Sequence, residues 1–183
     1  TANLAAYTGI PLVNFHPPAW LALELKFWRW FNRIKDFQNE VGQGKVIITA
    51  ENMPCIGSFS INPHVLGHTK RMIDFMNERN LFLTFDTAHM GSSKASFLGD
   101  FHLFYNSGTM RNIHFSDYGN GREHLLPGRG ALPLTRFLNH LRNTGYDEVL
   151  TLELSPYEFA EEEELIRESL ADVLTYHVVA GKP

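Results

Sequence analysis

The sequence predicts an α/β fold in which parallel β-strands alternate with helices along a single domain spanning residues 1–183. Three observations lead to this prediction. Five short apolar runs have the composition of buried strands, the segments between them have helical periodicity, and each run has a polar residue at its last or next-to-last position. Strands that alternate with helices are joined by right-handed crossovers into a parallel sheet.

The five runs are rich in Val, Ile, Leu, Phe and Thr and are bounded by turn residues, as buried strands are. They are nearly continuous in apolar character rather than strictly alternating, which is typical of parallel strands covered on both faces. The runs are LVNFH (12–16), KVIITAE (45–51), LFLTFD (81–86), RNIHF (111–115) and EVLTLEL (148–154).

Helices are predicted between the strands. Residues 19–37 place apolar side chains three and four positions apart, which makes one face of a helix apolar and leaves Lys26, Arg29 and Arg33 on the other. Residues 63–79 begin with a proline, which suits a first helical turn. Further helices are predicted at 95–106, 133–143 and 158–178, and Gly145 has the position of a helix C-cap.

The polar residues at the strand ends recur at a regular step. They are His16, Glu51, Asp86, His114 and Glu153, and the successive separations are 35, 35, 28 and 39 positions. Each step fits one strand–helix unit. In a barrel built from such units the carboxyl ends of the strands meet at one mouth, so these residues would converge there.

Composition and charge exclude several classes of protein. The chain has 183 residues, 44% hydrophobic and 20% charged, which is typical of a globular domain. A net charge of −4 gives no overall basic field for nucleic acid or an anionic membrane. The most apolar stretch, WLALELKFWRWF, is too short and too charged to cross a bilayer. One cysteine, Cys55, and no visible signal peptide lead us to expect a cytoplasmic protein.

The strand-end residues are of the types that bind divalent metals. Carboxylates and imidazoles together make a mixed oxygen and nitrogen shell that suits Mn²⁺, Zn²⁺, Co²⁺ or Fe²⁺. Any one of them alone would be interpreted as a polar residue that meets solvent at a strand end. Five in phase, each directly after a buried run, favour a metal site.

Two more histidines are placed to join this site. His89 follows Asp86 by three positions, so it should lie in the loop or first helical turn above that strand, and His124 falls in the glycine-rich segment GREHLLPGRG, which is interpreted as a loop. The remaining histidines fall in predicted helices and are interpreted as structural or surface residues; they are His64, His68, His102, His140 and His177.

Six motifs in order resemble the xylose isomerase-like barrel superfamily, which includes sugar and sugar-phosphate isomerases and epimerases and the endonuclease IV-type nucleases. The motifs are NFHP, AEN, FDTAH, NIHFSD, HLLPGRG and TLEL. The resemblance covers nearly the whole chain and implies a (β/α)8 TIM-barrel fold. Eight strands are expected in that fold, and the five visible here look like the last five, so about three N-terminal units are expected to be missing.

The resemblance also implies roles for individual residues. Glu51, Asp86, His114 and Glu153 match the four-ligand metal site of the superfamily, and His16 matches a histidine that binds a further metal or the substrate. Glu51 and Glu153 would also act as acid and base, with His89 as the third catalytic residue, bound to a substrate oxygen. The expected substrate contacts are His89, His124, Arg122 and Arg129, the arginines only if the substrate carries a phosphate.

The leading hypothesis is a metal-dependent isomerase or epimerase that moves a proton beside the carbonyl of a sugar or sugar phosphate. The alternative is an endonuclease IV-like, zinc-dependent nuclease that cuts DNA at abasic sites. Arg122 counts against it, since it stands where those nucleases carry an aspartate for a third zinc. A non-catalytic fragment is the third hypothesis. The expected partner is a small sugar-like molecule, and nucleic acid is expected only under the nuclease alternative. No membrane partner is expected, and the sequence is compatible with a homo-oligomer.

Overall fold

The structure is a computed structural model, and it describes residues 1–20, 24–56, 61–93, 96–159, 163–168 and 170–171. Leu23 and His177, which fall within the helices predicted over 19–37 and 158–178, lie outside these residues. The helix predicted over 158–178 is described only in part, and residues 163–168 and 170–171 are helical. Among the described residues, no helix combines the length and the apolar character needed to cross a membrane.

The main sheet contains five parallel strands in the order in which they occur along the chain. They are β1 (Leu12–Phe15), β2 (Ile47–Glu51), β3 (Phe82–Asp86), β4 (Met110–Phe115) and β7 (Val149–Leu152). The hydrogen-bonded order is β1-β2-β3-β4-β7, and the sheet curls into a half-barrel of the TIM type. The predicted parallel order of neighbours is therefore confirmed. The described residues do not close a barrel, because β1 and β7 stand at the two edges of the sheet.

The helices that alternate with these strands are α1 (Ala2–Thr8), α2 (Leu25–Arg33), α3 (Thr69–Arg79), α4 (Thr87–Ser92), α5 (Phe97–Asn106) and α6 (Leu134–Thr144). The end of α6 is as predicted, with Gly145 in the left-handed region at φ 70°. The start predicted for α3 was wrong by six residues. Residues 63–68 are not helical, because the backbone around His64 forms an antiparallel bridge with Ala19.

The helix predicted over 19–37 was also too long. It begins at Leu25 and ends at Arg33, and a π-helical segment, Gln38–Gly42, follows it. The side-chain amide of Gln38 accepts from the backbone N–H of Ile48 and donates to its carbonyl, at 3.0 and 2.8 Å. These two hydrogen bonds attach the start of the π-helical segment to β2. Lys26, Arg29 and Arg33 are exposed, as expected for the polar face of α2.

The segment after β4 forms an antiparallel hairpin that the sequence analysis interpreted as a loop. Its strands are β5 (Asp117–Gly119) and β6 (Arg122–Leu125), and His124 therefore lies in a strand. The turn residues Asn120 and Gly121 have φ of 52° and 74°. An Asn-Gly pair in this conformation is a strong hairpin signal, but the flanking strands are too short and polar to resemble buried strands.

Alternation along each strand separates the core from the inner face of the half-barrel. In β3, Phe85 packs against Phe101, Phe104 and Phe137 of α5 and α6, with ring centroids 5.3–6.0 Å apart. The residues on either side of it in β3, Thr84 and Asp86, therefore point toward the inner face, and both are polar. The strands β2 and β3 are buried on both faces, as predicted, but every strand presents a polar residue to the inner face.

Candidate metal centre

Each strand places a polar residue at its carboxyl end on the inner face of the half-barrel. Glu51 and Asp86 are the last residues of β2 and β3, and His114 is the penultimate residue of β4. His16 and Glu153 directly follow β1 and β7. Because the strands are parallel neighbours, these side chains lie at one end of the sheet, as the sequence analysis expected.

Four of these side chains form a compact cluster. Glu51, Asp86, His114 and Glu153 each offer one ligand atom, and the four atoms lie within 4.8 Å of one another. Nδ1 of His114 lies 3.4 Å from Oε2 of Glu51 and 3.7 Å from Oδ2 of Asp86, and it also contacts Oε2 of Glu153. The Glu51 and Asp86 side chains are fully buried, whereas Glu153 is 39% exposed.

These atoms are buried without hydrogen-bond partners among the described residues. Oε1 of Glu51, Oδ2 of Asp86, Nδ1 of His114 and Oε2 of Glu153 account for four of the five such side-chain atoms. Buried polar atoms are nearly always satisfied, and each exception requires an explanation such as an ion. Three carboxylate oxygens and one imidazole nitrogen are the donors that Zn²⁺ and Mn²⁺ take in proteins. The residues therefore fit a divalent cation.

Burial and close charges change the pKa values of this cluster. Burial raises the pKa of Asp86 to about 7, although the imidazole of His89 opposes the shift. Burial would also raise the pKa of Glu51, but the imidazoles of His114, His16 and His89 hold it well below its usual range. Burial lowers the pKa of His114, yet Glu153 and Glu51 more than offset this and raise it to about 10. The imidazoles and the carboxylates of the cluster therefore each favour the charged form of the other.

A chain of polar side chains crosses the inner face one layer below the cluster. It links all five strands through hydrogen bonds of 2.8–3.5 Å, with one residue from each strand: Asn14, Thr49, Thr84, Asn112 and Thr151. The Thr49 hydroxyl donates to Oδ1 of Asn14, which leaves the amide Nδ2 of Asn14 to donate to Oε2 of Glu51. The chain of hydrogen bonds therefore orients the Glu51 carboxylate.

Asn52 connects the ends of β2 and β3. Its side-chain Nδ2 donates to the carbonyl of Asp86 at 3.0 Å, and its Oδ1 accepts from the backbone N–H of Asp86 at 2.8 Å. Its backbone carbonyl lies 3.0 Å from Nδ1 of His89. Neither Asn14 nor Asn52 was predicted to have a role, although each lies within two positions of a predicted ligand. Asn52 fixes both the backbone of Asp86 and the ring of His89.

We expect Asn52→Ala to destabilise the protein by about 2–3 kcal/mol, because it leaves the buried N–H and carbonyl of Asp86 unpaired. Urea denaturation measures the change in the free energy of unfolding. Asn39→Ala is the matched control, since Asn39 is exposed and, within the described part of the chain, its Nδ2 bonds only to Asp36. Equal losses in the two variants would show that Asn52 has no special role at the strand ends.

His89 lies beside the four-residue cluster in the first turn of α4, where the sequence analysis expected it. Its backbone N–H donates to Oδ1 of Asp86, which caps this helix. Its Nδ1 lies 3.0 Å from Oε1 of Glu51, and its ring centroid lies 6.3 Å from that of His16 and 5.2 Å from that of His124. Nε2 of His16 in turn lies 3.5 Å from Oε2 of Glu51. Three histidines therefore surround the mouth.

Arg122 and Arg129 both pair with the buried carboxylate of Glu158. Nη2 of Arg122 lies 2.8 Å from Oε1, and Nη1 of Arg129 lies 3.5 Å from Oε2. Leu126 also donates its backbone N–H to Oε2 of Glu158 at 3.3 Å. These contacts fasten the hairpin to the short 3₁₀ helix Pro156–Glu158. Both arginines keep more than half of their side-chain surface exposed, and their role in substrate binding stays a prediction.

Solved structures share this fold. D-psicose 3-epimerase with D-tagatose, from Clostridium cellulolyticum, aligns with 98% of this chain at 15% identity and a TM-score of 0.70. The IOLI protein with a bound zinc atom aligns with 96% at 16% identity and a TM-score of 0.70. Endonuclease IV from Thermus thermophilus aligns with 92% at 18% identity and a TM-score of 0.57. The chain covers 67%, 67% and 64% of their respective lengths.

At these identities the structural similarity establishes the fold alone. No curated protein sequence matches the chain at a significant level. The model of one protein family, described as the xylose isomerase-like TIM barrel, matches residues 1–176. The solved structures that share the fold include sugar epimerases and endonuclease IV. Together with the parallel half-barrel, this match shows that the chain belongs to the xylose isomerase-like TIM barrel family.

Proposed function

We propose that the protein is a divalent-metal-dependent isomerase or epimerase that moves a proton at the carbon beside the carbonyl of a sugar or sugar phosphate. The observation that carries the proposal is the position of two glutamates at opposite ends of the four-residue cluster. Glu51 ends β2 and Glu153 follows β7, and β3 and β4 lie between these two strands. A substrate placed over the cluster would have a carboxylate on each side.

The two carboxylates suit proton transfer because a carboxylate can accept a proton at one face of a carbon and return one. Asn14 fixes the orientation of Glu51, whereas the partly exposed Glu153 can exchange its proton with solvent. Nδ1 of His89 is held by the Asn52 carbonyl, so its Nε2 is the nitrogen left to contact a substrate oxygen. A cation bound by Glu51, Asp86, His114 and Glu153 would polarise the carbonyl and the adjacent hydroxyl.

The similarity to sugar epimerases supports this choice of substrate, since D-psicose 3-epimerase has the same fold around the matching strands. The zinc atom of the IOLI protein supports a metal in this fold. The candidate metals are Zn²⁺, Mn²⁺, Co²⁺ and Fe²⁺. Cys55 is a free, half-buried thiol, in keeping with the cytoplasmic location that we propose.

An endonuclease IV-like activity on abasic DNA is the second candidate function. His16, His89 and His124 favour it, because three histidines around the cluster could hold additional zinc ions. The net charge of −4 opposes it, since binding to the DNA backbone relies on basic groups. Arg122 opposes it as well, because its guanidinium pairs with Glu158 and supplies no carboxylate.

The test of the proposed function is hydrogen exchange at carbon. Metal-loaded protein is incubated with a panel of ketoses and ketose phosphates in D₂O, and NMR follows deuterium entering the carbon beside the carbonyl. Incorporation with at least one substrate supports the proposal. Zinc-dependent nicking of an abasic duplex without exchange in any ketose would establish the nuclease instead. Absence of both reactions would contradict the proposal for the substrates in the panel and would favour the non-catalytic hypothesis.

The metal can be tested separately from the reaction. We expect Mn²⁺ at 100 times its Kd to raise the free energy of unfolding by about 2.7 kcal/mol relative to chelated protein, because the folded chain alone assembles the four ligands. Urea denaturation with and without chelator measures the difference. An unchanged midpoint would show that Mn²⁺ does not bind at these residues.

A further inference from the structure

Two histidines meet on the outer side of the sheet, between the helices α5 and α6. His102 lies in α5 and His140 in α6, and Nε2 of His102 lies 3.4 Å from Nδ1 of His140. The ring centroids are 4.3 Å apart, and the ring planes meet at 78°. The sequence alone predicted a structural or surface role for each histidine, because 38 positions separate them along the chain.

The separation of the two nitrogens suits a shared zinc ion better than a direct hydrogen bond. Hydrogen bonds donated by N–H groups usually span about 2.7–3.2 Å, so the 3.4 Å between these nitrogens is long for one. Two nitrogens that bind one zinc ion at about 2.05 Å and at the tetrahedral angle stand about 3.35 Å apart. Adjacent positions in the square plane of Cu²⁺ stand only about 2.8 Å apart. The spacing therefore favours tetrahedral zinc.

The His140 ring has only one nitrogen available to a cation. Its Nε2 is the fifth buried side-chain atom without a hydrogen-bond partner among the described residues. An imidazolium would carry a proton on that nitrogen, and a buried N–H group without an acceptor costs free energy. Burial, and then the charge of His102, accordingly lower the pKa of His140. The ring is therefore neutral at pH 7, and its Nδ1 faces His102 with a lone pair to offer.

The packing of α5 against α6 holds the two rings in place before any ion binds. Phe101, which precedes His102, packs edge-to-face against Phe137 with ring centroids 4.8 Å apart. Three residues after His102, the hydroxyl of Tyr105 donates to the carbonyl of Thr144 at 2.9 Å. These contacts join the same two helices on both sides of the histidines. A site carried by packed helices loses little conformational freedom when its ligand binds.

We propose that His102 and His140 form a zinc site that joins α5 to α6 on the outer surface of the half-barrel. Water completes the coordination, because His102 is exposed and no third ligand residue in the described part of the chain joins the pair within 4.8 Å. The site binds zinc more weakly than the four-residue cluster, since it supplies two protein ligands instead of four. The ion fastens the two helices that pack on Phe85 of β3.

The test compares zinc contents after equilibrium dialysis of the metal-free proteins, without a histidine tag, against Zn²⁺ at a concentration that saturates the wild type. His102→Asn should bind one zinc ion fewer per chain than the wild type, whatever the number of ions bound at other residues. His102 is exposed, so its replacement should leave the fold intact. His140→Asn should lose the same ion. Near-UV circular dichroism verifies folding, and His102→Asn carries the test if His140→Asn does not fold.

His68→Asn is the matched control. His68 is also exposed, and it stands at the N-cap of α3 rather than between two helices. This variant should bind as much zinc as the wild type. Equal zinc contents in the wild type and His102→Asn would overturn the proposal, and so would an equal loss in His68→Asn, which would indicate binding to exposed histidines in general. Because the variants leave the four-residue cluster unchanged and the readout is metal content, failure of the proposed reaction would leave this result unaffected.

Discussion

Glu153→Gln is expected to lower deuterium exchange into the substrate by about 10²–10⁴-fold, the usual contribution of one acid–base group. The amide has nearly the shape of the carboxylate but cannot take up the proton. Its oxygen can still coordinate a cation, and Glu51, Asp86 and His114 are unchanged. We therefore expect the variant to bind metal, but more weakly than the wild type because one ligand has lost its charge, and it is assayed at a metal concentration that saturates it. NMR exchange rates together with metal content measure the two effects separately.

Glu148→Gln is the matched control for this variant. Glu148 directly precedes β7, and its side chain is 39% exposed, the same fraction as that of Glu153. It pairs with Arg111 at 3.6 Å, away from the metal cluster. Exchange should be unchanged in this control. If Glu153→Gln kept the wild-type rate, proton transfer by Glu153 would be refuted, and loss of exchange with loss of metal would indicate a ligand role alone.

Asp86→Asn is expected to weaken binding of the first metal ion by more than about 100-fold, because even changes to residues that support ligands cost 10–100-fold. The substitution removes a negative charge from the fully buried centre of the cluster. The amide oxygen can still accept from the His89 N–H and cap α4, since asparagine caps helices as well as aspartate. The metal-free variant should therefore fold with about the stability of the wild type.

Isothermal titration calorimetry with Mn²⁺ measures the Kd of the metal ion. Urea denaturation in the presence of a chelator measures the free energy of unfolding of the metal-free protein. Asp147→Asn is the control, because Asp147 is exposed in the turn before β7 and lies outside the cluster. It should bind metal as the wild type does. An unchanged Kd for Asp86→Asn would show that the cation binds elsewhere. A large loss of stability without metal would show that the substitution damages the fold rather than the site.

The sequence alone determined the strands and the residues that end them. Runs such as LFLTFD are recognised from local composition, and a parallel order follows from the connections between them. The convergence of Glu51, Asp86, His114 and Glu153 follows in turn, because parallel neighbours bring their carboxyl ends to one edge of a sheet. The positions of the strands and the right-handed crossovers between them were therefore enough to predict that these four residues lie together.

The tertiary structure decided the features that depend on contacts between distant residues. The bridge from Ala19 to His64 delays the start of α3, and no local pattern signals that pairing. The amides of Asn14 and Asn52 acquire their roles only once β1, β2 and β3 lie side by side. The left-handed backbone of His124, and the position of Glu123 beside His89, likewise depend on the packing of the hairpin against α4.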